Sequence, residues 1–222
     1  MTPSSTFRKI FAIGDIHGCY GKLTSLLNKL PFDRERDLLV FLGDYIDRGP
    51  QSREVVSHLC SLKRNGMNLV TIMGNHEYML MEYQKSADST MIPMLRQLQI
   101  DVTLKSYGIK DMAKLHHLAG LPEEHREFFS GLCPYYMTDT HVFVHAGLYP
   151  GIPVEQQDFE SLYEMRNVFL ESKYDFGKVV VFGHTSFTTP LVTKTKIGID
   201  TGAVYGNMLT ALELPAMVFH HA

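Results

Sequence analysis

Five short apolar runs punctuate the chain, and each ends at a turn that carries a polar residue. Lys9-Ile10-Phe11-Ala12-Ile13 leads into Gly14-Asp15, Leu38-Leu39-Val40-Phe41-Leu42 into Gly43-Asp44, and Leu69-Val70-Thr71-Ile72-Met73 into Gly74-Asn75-His76. His141-Val142-Phe143-Val144 ends at His145, and Val179-Val180-Val181-Phe182 at Gly183-His184. The runs are continuous rather than alternating, which is the pattern of strands covered on both faces. Amphipathic stretches lie between the first three. Leu23, Leu26, Leu27 and Leu30 share one helical face, as do Val55, Val56, Leu59 and Leu62. Strand alternating with helix predicts an α/β fold that begins with parallel pairing through right-handed crossovers.

Residues 81–132 break this rhythm. They are polar, rich in methionine and helical in character, with an interruption at Ser106-Tyr107-Gly108. The segment predicts a helical cap inserted between the third and fourth strands, with Met79, Met81, Met91 and Met94 as packing residues. Leu191-Val192-Thr193, Ile197-Gly198-Ile199 and residues 208–214 predict short strands paired in antiparallel fashion. No linker, repeat or low-complexity tract interrupts the pattern, so one domain is expected over residues 1–222.

Composition narrows the function classes. Hydrophobic residues make up 45% and charged residues 20% of the 222, which suits a packed globular domain. A net charge of −3 gives no electrostatic reason to expect nucleic-acid or membrane-surface binding. Three cysteines without C-x-x-C spacing argue against a disulfide framework or a structural zinc site. With no leader-like start and no bilayer-length apolar run, a cytoplasmic location is expected.

In open α/β sheets, ligands gather beyond the carboxyl ends of the strands. The five ends here deliver Asp15 with His17, Asp44, Asn75 with His76, His145, and His184. Oxygen and imidazole donors without a thiolate suit divalent Mn, Fe or Zn, with Mn the first choice. Six candidate ligands exceed one tetrahedral ion but suit two ions that share a carboxylate. Asp44, central in chain order, is the expected bridge. Asp15 and His17, two residues apart, can face one ion if the chain between them stays extended. His145, His184 and the neutral oxygen of Asn75 complete the second. Two such ions, about 3.5–4 Å apart, lower the pKa of a trapped water and neutralise phosphate oxygens.

Gly14-Asp15-Ile16-His17-Gly18, Gly43-Asp44-Tyr45-Ile46-Asp47-Arg48-Gly49 and Gly74-Asn75-His76-Glu77 resemble, in order and spacing, the three signature blocks of the phosphoprotein phosphatase family. His145 in Val144-His145-Ala146-Gly147 and His184 in Phe182-Gly183-His184-Thr185 resemble its two later metal histidines. The compact length is most similar to the family's bacterial and phage members. The resemblance implies a calcineurin-like metallophosphoesterase fold, with mixed sheets flanked by helices in a four-layer αββα sandwich and a helical cap. It implies Asp15, His17 and Asp44 at one metal, and Asp44, Asn75, His145 and His184 at the other, with in-line attack by a bridging hydroxide. His76 would then protonate the leaving oxygen, Asp47 would orient His76, and Arg48 would clamp the phosphate. Arg166 is the best match for a second phosphate-binding arginine.

The Asp47-Arg48 and His76-Glu77 letters favour a serine/threonine protein phosphatase acting on phosphoproteins or phosphopeptides. The alternative is a symmetrical bis(5'-nucleosyl)-tetraphosphatase, whose relatives commonly carry Asn or Ala before the Arg and Asp after the His. Ile199-Asp200-Thr201-Gly202-Ala203-Val204-Tyr205-Gly206 departs from the eukaryotic Ser-Ala-Pro-Asn-Tyr loop, so eukaryotic inhibitor and subunit properties are not expected. His116-His117 and His220-His221 read as surface or terminal residues away from strand ends. His58 reads as structural, and Cys19 as a bystander. No G-x-x-x-x-G-K-[ST] loop occurs.

Overall fold

The computed structural model describes residues 7–222. The first sheet contains β1 (Lys9–Ile13), β2 (Asp37–Phe41), β3 (Leu69–Thr71), and later β9 (Thr210–Leu214) and β10 (Val218–His221), in the order β10-β9-β1-β2-β3. β1, β2 and β3 are parallel, joined through α1 (Tyr20–Lys29) and α2 (Ser52–Arg64), whereas β9 runs antiparallel to β1. The second sheet contains β4 (Tyr135–Met137), β5 (His141–Val144), β6 (Val179–Phe182), β7 (Leu191–Val192) and β8 (Lys196–Gly198), in the order β4-β5-β6-β8-β7. Its central strands β5, β6 and β8 are parallel, and β7 and β8 form the expected hairpin.

Burial on both faces explains the continuous apolar runs. Phe11, Ile13, Leu39 and Phe41 pack with Leu23, Leu26, Val55, Val56 and Leu59 of α1 and α2. The intervening Ile10, Ala12, Leu38 and Val40 pack with Phe143, Val181 and Ile197 of the second sheet. On that sheet's far face, Val142, Val144, Val180 and Phe182 meet Leu162 of α7 (Phe159–Glu164) and Phe169 of α8 (Asn167–Glu171). The result is helix, sheet, sheet, helix. Each fully buried aliphatic or Phe side chain contributes about 1.5–3 kcal/mol by leaving water.

The cap is helical but starts earlier than its composition indicates. Its first helix, α3 (Asn75–Ser86), begins at the third strand's turn and carries Asn75 and His76. Then follow α4 (Ile92–Gln97), α5 (Ile100–Ser106) and α6 (Glu123–Ser130). The insert returns where it left: Ile72 and Cys133 form a parallel bridge, and Met73 N donates to Cys133 O at 2.9 Å.

Two strands escape the sequence pattern. β4 is only three residues long, and β10 ends in His220-His221, which hides its pairing with β9. The reading of that doublet is corrected here: both histidines lie within a strand, and His220 Nε2 sits 2.9 Å from Glu213 Oε2. Cys19, Cys60 and Cys133 are free thiols. No helix among the described residues is long and apolar enough to cross a membrane.

Candidate metal centre

The parallel strands of both sheets end at one edge, so five turns meet there. His17 N and Ile16 N both donate to Asp44 O, at 2.7 and 3.1 Å, which fastens the first turn to the second. Gly183 N donates to His145 O at 2.7 Å and ties the two later turns together. Backbone conformation at this edge is unusual. His17, Asp44, Asp47, Arg48 and His184 all have φ between +44° and +67°. Such conformations cost about 1–3 kcal/mol for residues other than glycine, and they persist only where surrounding contacts enforce them. The chain after Asp15 turns tightly at His17, where the sequence suggested it would stay extended.

The glycines at two turns leave room for the polar side chains. A Cβ on Gly183 would collide with Asp15 Oδ1, and one on Gly43 would lie 2.9 Å from His145 Nδ1.

Two adjoining groups share Asp44: His17, Asp44 and His76 form one, and Asp44, His145 and His184 the other, with Asn75 Oδ1 beside the second. His145 Nδ1 donates to Leu42 O at 2.9 Å, which turns its Nε2 inward. That Nε2 lies 3.1 Å from Asn75 Oδ1, 3.2 Å from His184 Nδ1 and 3.5 Å from Asp44 Oδ1. Donor atoms held about 2.1 Å from one tetrahedral ion are about 3.4 Å apart, so this spacing fits. On the other side, His17 Nδ1 donates to Ile46 O at 2.8 Å, and its Nε2 lies 3.3 Å from Asp44 Oδ2. The two oxygens of Asp44 thus face different groups, as a shared ligand requires. Asp15 Oδ2 accepts from His184 N at 2.9 Å, while Asp15 Oδ1 is buried with no hydrogen-bond partner.

Protonation follows the same logic. Burial drives the proton off His145, and burial together with His145 pushes His184 down to about 2. Both present bare lone pairs at neutral pH. Burial, Asp200 and Asp44 hold the Asp15 carboxyl well above its ordinary value, because anionic groups crowd one another without a compensating charge. Clustered lone pairs, crowded carboxylates and an unpartnered Asp15 oxygen fit divalent cations, which would lie between these side chains.

His76 lies in the first group with His17 and Asp44, and its ring is also held from behind. Its Nδ1 lies 2.7 Å from Asp47 Oδ2, while its Nε2 is buried, unpartnered and 3.9 Å from Asp44 Oδ2. Burial disfavours its charged form, but Asp44 and Asp47 outweigh burial and raise its pKa. An imidazole held at Nδ1 with an unpartnered Nε2 can donate a proton from that nitrogen when it is charged. Arg48 Nη1 lies 2.8 Å from His17 Nε2, and its guanidinium carbon lies 5.7 Å from the ring centre of Tyr205. Arg166 is exposed, and its charge is a minor contributor to the lowered pKa of His184. His58 is half-buried against the Tyr20 ring, and His116-His117 lie in a cap turn away from the centre.

Three contributors were not read from the sequence. Glu77 Oε1 accepts from Tyr45 N and Ile46 N, and Oε2 from Asp44 N and Gly74 N, at 2.9–3.2 Å. It clamps the turn that carries Asp44. Its signal was present, since a Glu three residues after a helix N-cap is a capping-box position. Tyr205, 65% exposed, borders Arg48. Thr103, from the cap, touches Asp47.

Residues 8–188 match the calcineurin-like phosphoesterase family. The chain is 29% identical to the asymmetrical bis(5'-nucleosyl)-tetraphosphatase PrpE of Halalkalibacterium halodurans, over 93% of this chain and 90% of that protein. It is 30% identical to serine/threonine-protein phosphatase 1 of Salmonella typhimurium, over 93% and 92%. In fold it is similar to a crystal structure of a candidate diadenosine tetraphosphatase, with TM-score 0.73, 24% identity, and coverage of 100% of this chain and 96% of the other.

Proposed function

The chain belongs to the calcineurin-like phosphoesterase family and is a metal-dependent phosphoesterase, and from that premise we propose that it hydrolyses bis(5'-nucleosyl) tetraphosphates. The observation that carries this reading is the exposed Tyr205 ring beside Arg48, a stacking surface next to a phosphate clamp. The name of the H. halodurans relative, similar over most of both chains, supports it. Motif letters alone put phosphoproteins first; these two observations favour the reverse order.

Asp15, His17 and Asp44 would hold one divalent cation, and Asp44, Asn75, His145 and His184 a second, with Mn, Fe or Zn compatible with the donors. When bound, such ions lower the pKa of water and neutralise phosphate oxygens. Arg48 and Arg166 grip the non-bridging oxygens of the phosphate through planar N–H donors. A water oxygen forms the new P–O bond in line and releases one proton to solvent, and the bond opposite breaks with its electron pair on the leaving oxygen. His76 Nε2 donates the proton that oxygen needs, while Asp47 holds the ring at its Nδ1.

A second reading, hydrolysis of phosphoserine and phosphothreonine, is favoured by that proton donor. Alkoxides are poor leaving groups and need an acid far more than a phosphoanhydride does. The Salmonella relative carries a name of this kind. Turnover of diadenosine tetraphosphate and of a phosphoserine peptide, measured with Mn and with a chelator control, separates the two. Preference for the dinucleotide is expected, and chromatography of the products (ATP with AMP, or two ADP) fixes the bond cleaved. Preference for the peptide would overturn the first reading in favour of the second.

A further inference from the structure

Beyond α3, which carries His76, the cap reaches the proton-donating end of the site through Thr103 of α5. Asp47 uses one carboxylate oxygen for His76 and the other for Thr103: Oδ2 lies 2.7 Å from His76 Nδ1, and Thr103 Oγ1 donates to Oδ1 at 2.6 Å. The same Thr103 oxygen accepts from Asp47 N at 2.8 Å and lies 3.0 Å from Ser52 Oγ. A hydroxyl has one proton to give and two lone pairs to offer. With the proton on Asp47 Oδ1, Asp47 N and the Ser52 hydroxyl fill both lone pairs. His76, Asp47 and Ser52 are fully buried and Thr103 nearly so, so water cannot substitute for a lost partner.

Thr103 is itself held in place. Ser106 Oγ donates to Thr103 O at 2.8 Å, and Arg53 N of α2 donates to Ser106 Oγ at 3.2 Å. Ile100 and Leu104 on either side are buried in the core. The hydroxyl therefore approaches Asp47 from a fixed direction, against a backbone held at φ +67°.

We propose that Thr103 is a positioning residue for proton donation: by holding Asp47 Oδ1, it fixes the plane of the carboxylate whose other oxygen aims His76 at the leaving group. The cap then takes part in the chemistry through Asp47, without touching the substrate at this point. Removing the hydroxyl leaves a buried carboxylate oxygen with no donor, and the carboxylate rotates to recover one.

The proposal rests on His76 as proton donor, which both substrate readings share, and the test separates the two claims. Thr103→Val keeps the volume and removes the hydroxyl, and it is assayed on aryl phosphates with good and poor leaving groups. With phenyl phosphate, kcat is expected to fall about 10- to 100-fold, and with 2,4-dinitrophenyl phosphate by less than about 3-fold. KM and metal content stay unchanged, and Thr103→Ser restores the phenyl phosphate rate. In a His76→Asn background, Thr103→Val adds no further loss. If Thr103→Val does not fold, Thr103→Ser against Thr103→Ala makes the same comparison at smaller volume. A steep leaving-group dependence for His76→Asn beside a flat one for the hydroxyl-less variant overturns the role of Thr103 alone. A flat dependence for His76→Asn removes the donor reading and the proposal with it.

Discussion

Arg48 Nη1 donates to His17 Nε2 across 2.8 Å, so the guanidinium occupies the lone pair that a cation would take. The two occupants exclude each other. If His17 serves as a ligand, as proposed, cation binding would release Arg48 from His17 and leave the guanidinium beside the Tyr205 ring free to meet a phosphate.

Arg48→Ala is therefore expected to separate binding of metal from catalysis. Metal affinity, measured by titration with Mn, stays the same or rises, because a competitor for His17 has gone. The rate falls by about two to three orders of magnitude, the usual worth of one donor that meets developing charge. Weaker metal binding in this variant would show that the contact with Arg48 supports His17 as a ligand rather than blocking it.

Asp44→Asn is expected to weaken both cation positions together, since Oδ1 faces His145 and Oδ2 faces His17. Elemental analysis of the variant should find both ions depleted after dialysis, with activity reduced by about two orders of magnitude or more. Loss of only one ion would mean that Asp44 serves a single group.

How much of this was legible in the chain depended on where each residue sits. The placement of Asp15, Asp44, Asn75, His145 and His184 just past strand ends could be read because each follows an apolar run, and strands in parallel sheets finish at one edge. The turn at His17 could not be read, because φ +44° at a histidine leaves no compositional trace. Thr103 was silent for another reason: it is one hydroxyl in an irregular helical cap, and its partner lies 56 residues away. The cap itself could be recognised by its methionines, but its first turn could not, since α3 starts on the residues that also serve the site. β10 was hidden by chemistry, two histidines standing where strands usually carry apolar residues.

Glu77→Gln tests whether the clamp on the Asp44 turn depends on having two accepting oxygens. The amide nitrogen of Gln would face two backbone N–H donors instead of accepting from them. The expected cost is about 3 kcal/mol in unfolding free energy, read by urea denaturation of the metal-free protein. Metal affinity should fall with it, because the turn that carries Asp44 loosens. A stability change below about 0.5 kcal/mol would mean that the four short contacts to Glu77 are not needed to hold the turn.

The metal-free protein is also expected to lose stability toward acid through His184. Burial pushes the folded-state pKa of this histidine down to about 2, against about 6.5 in an unfolded chain. Below pH 6.5 the unfolded chain therefore binds a proton that the folded one refuses. The stabilisation is present above pH 6.5 and drains as the pH falls, by at most about 1.4 kcal/mol per pH unit. Asp15 works the other way: its raised pKa favours the folded state as acid protonates it, so the raw stability curve mixes both signs. The difference in unfolding free energy between wild type and His184→Asn isolates the histidine. Measured with chelator at pH 7.5, 6.5, 5.5 and 5.0, that difference should move against the wild type only below 6.5. Saturating Mn should flatten the dependence, since a cation on the ring nitrogen competes with the proton in the folded state. A difference that is constant from pH 7.5 to 5.0 would show that His184 is already charged in the folded, metal-free protein, and would remove the bare lone pair from the second cation group.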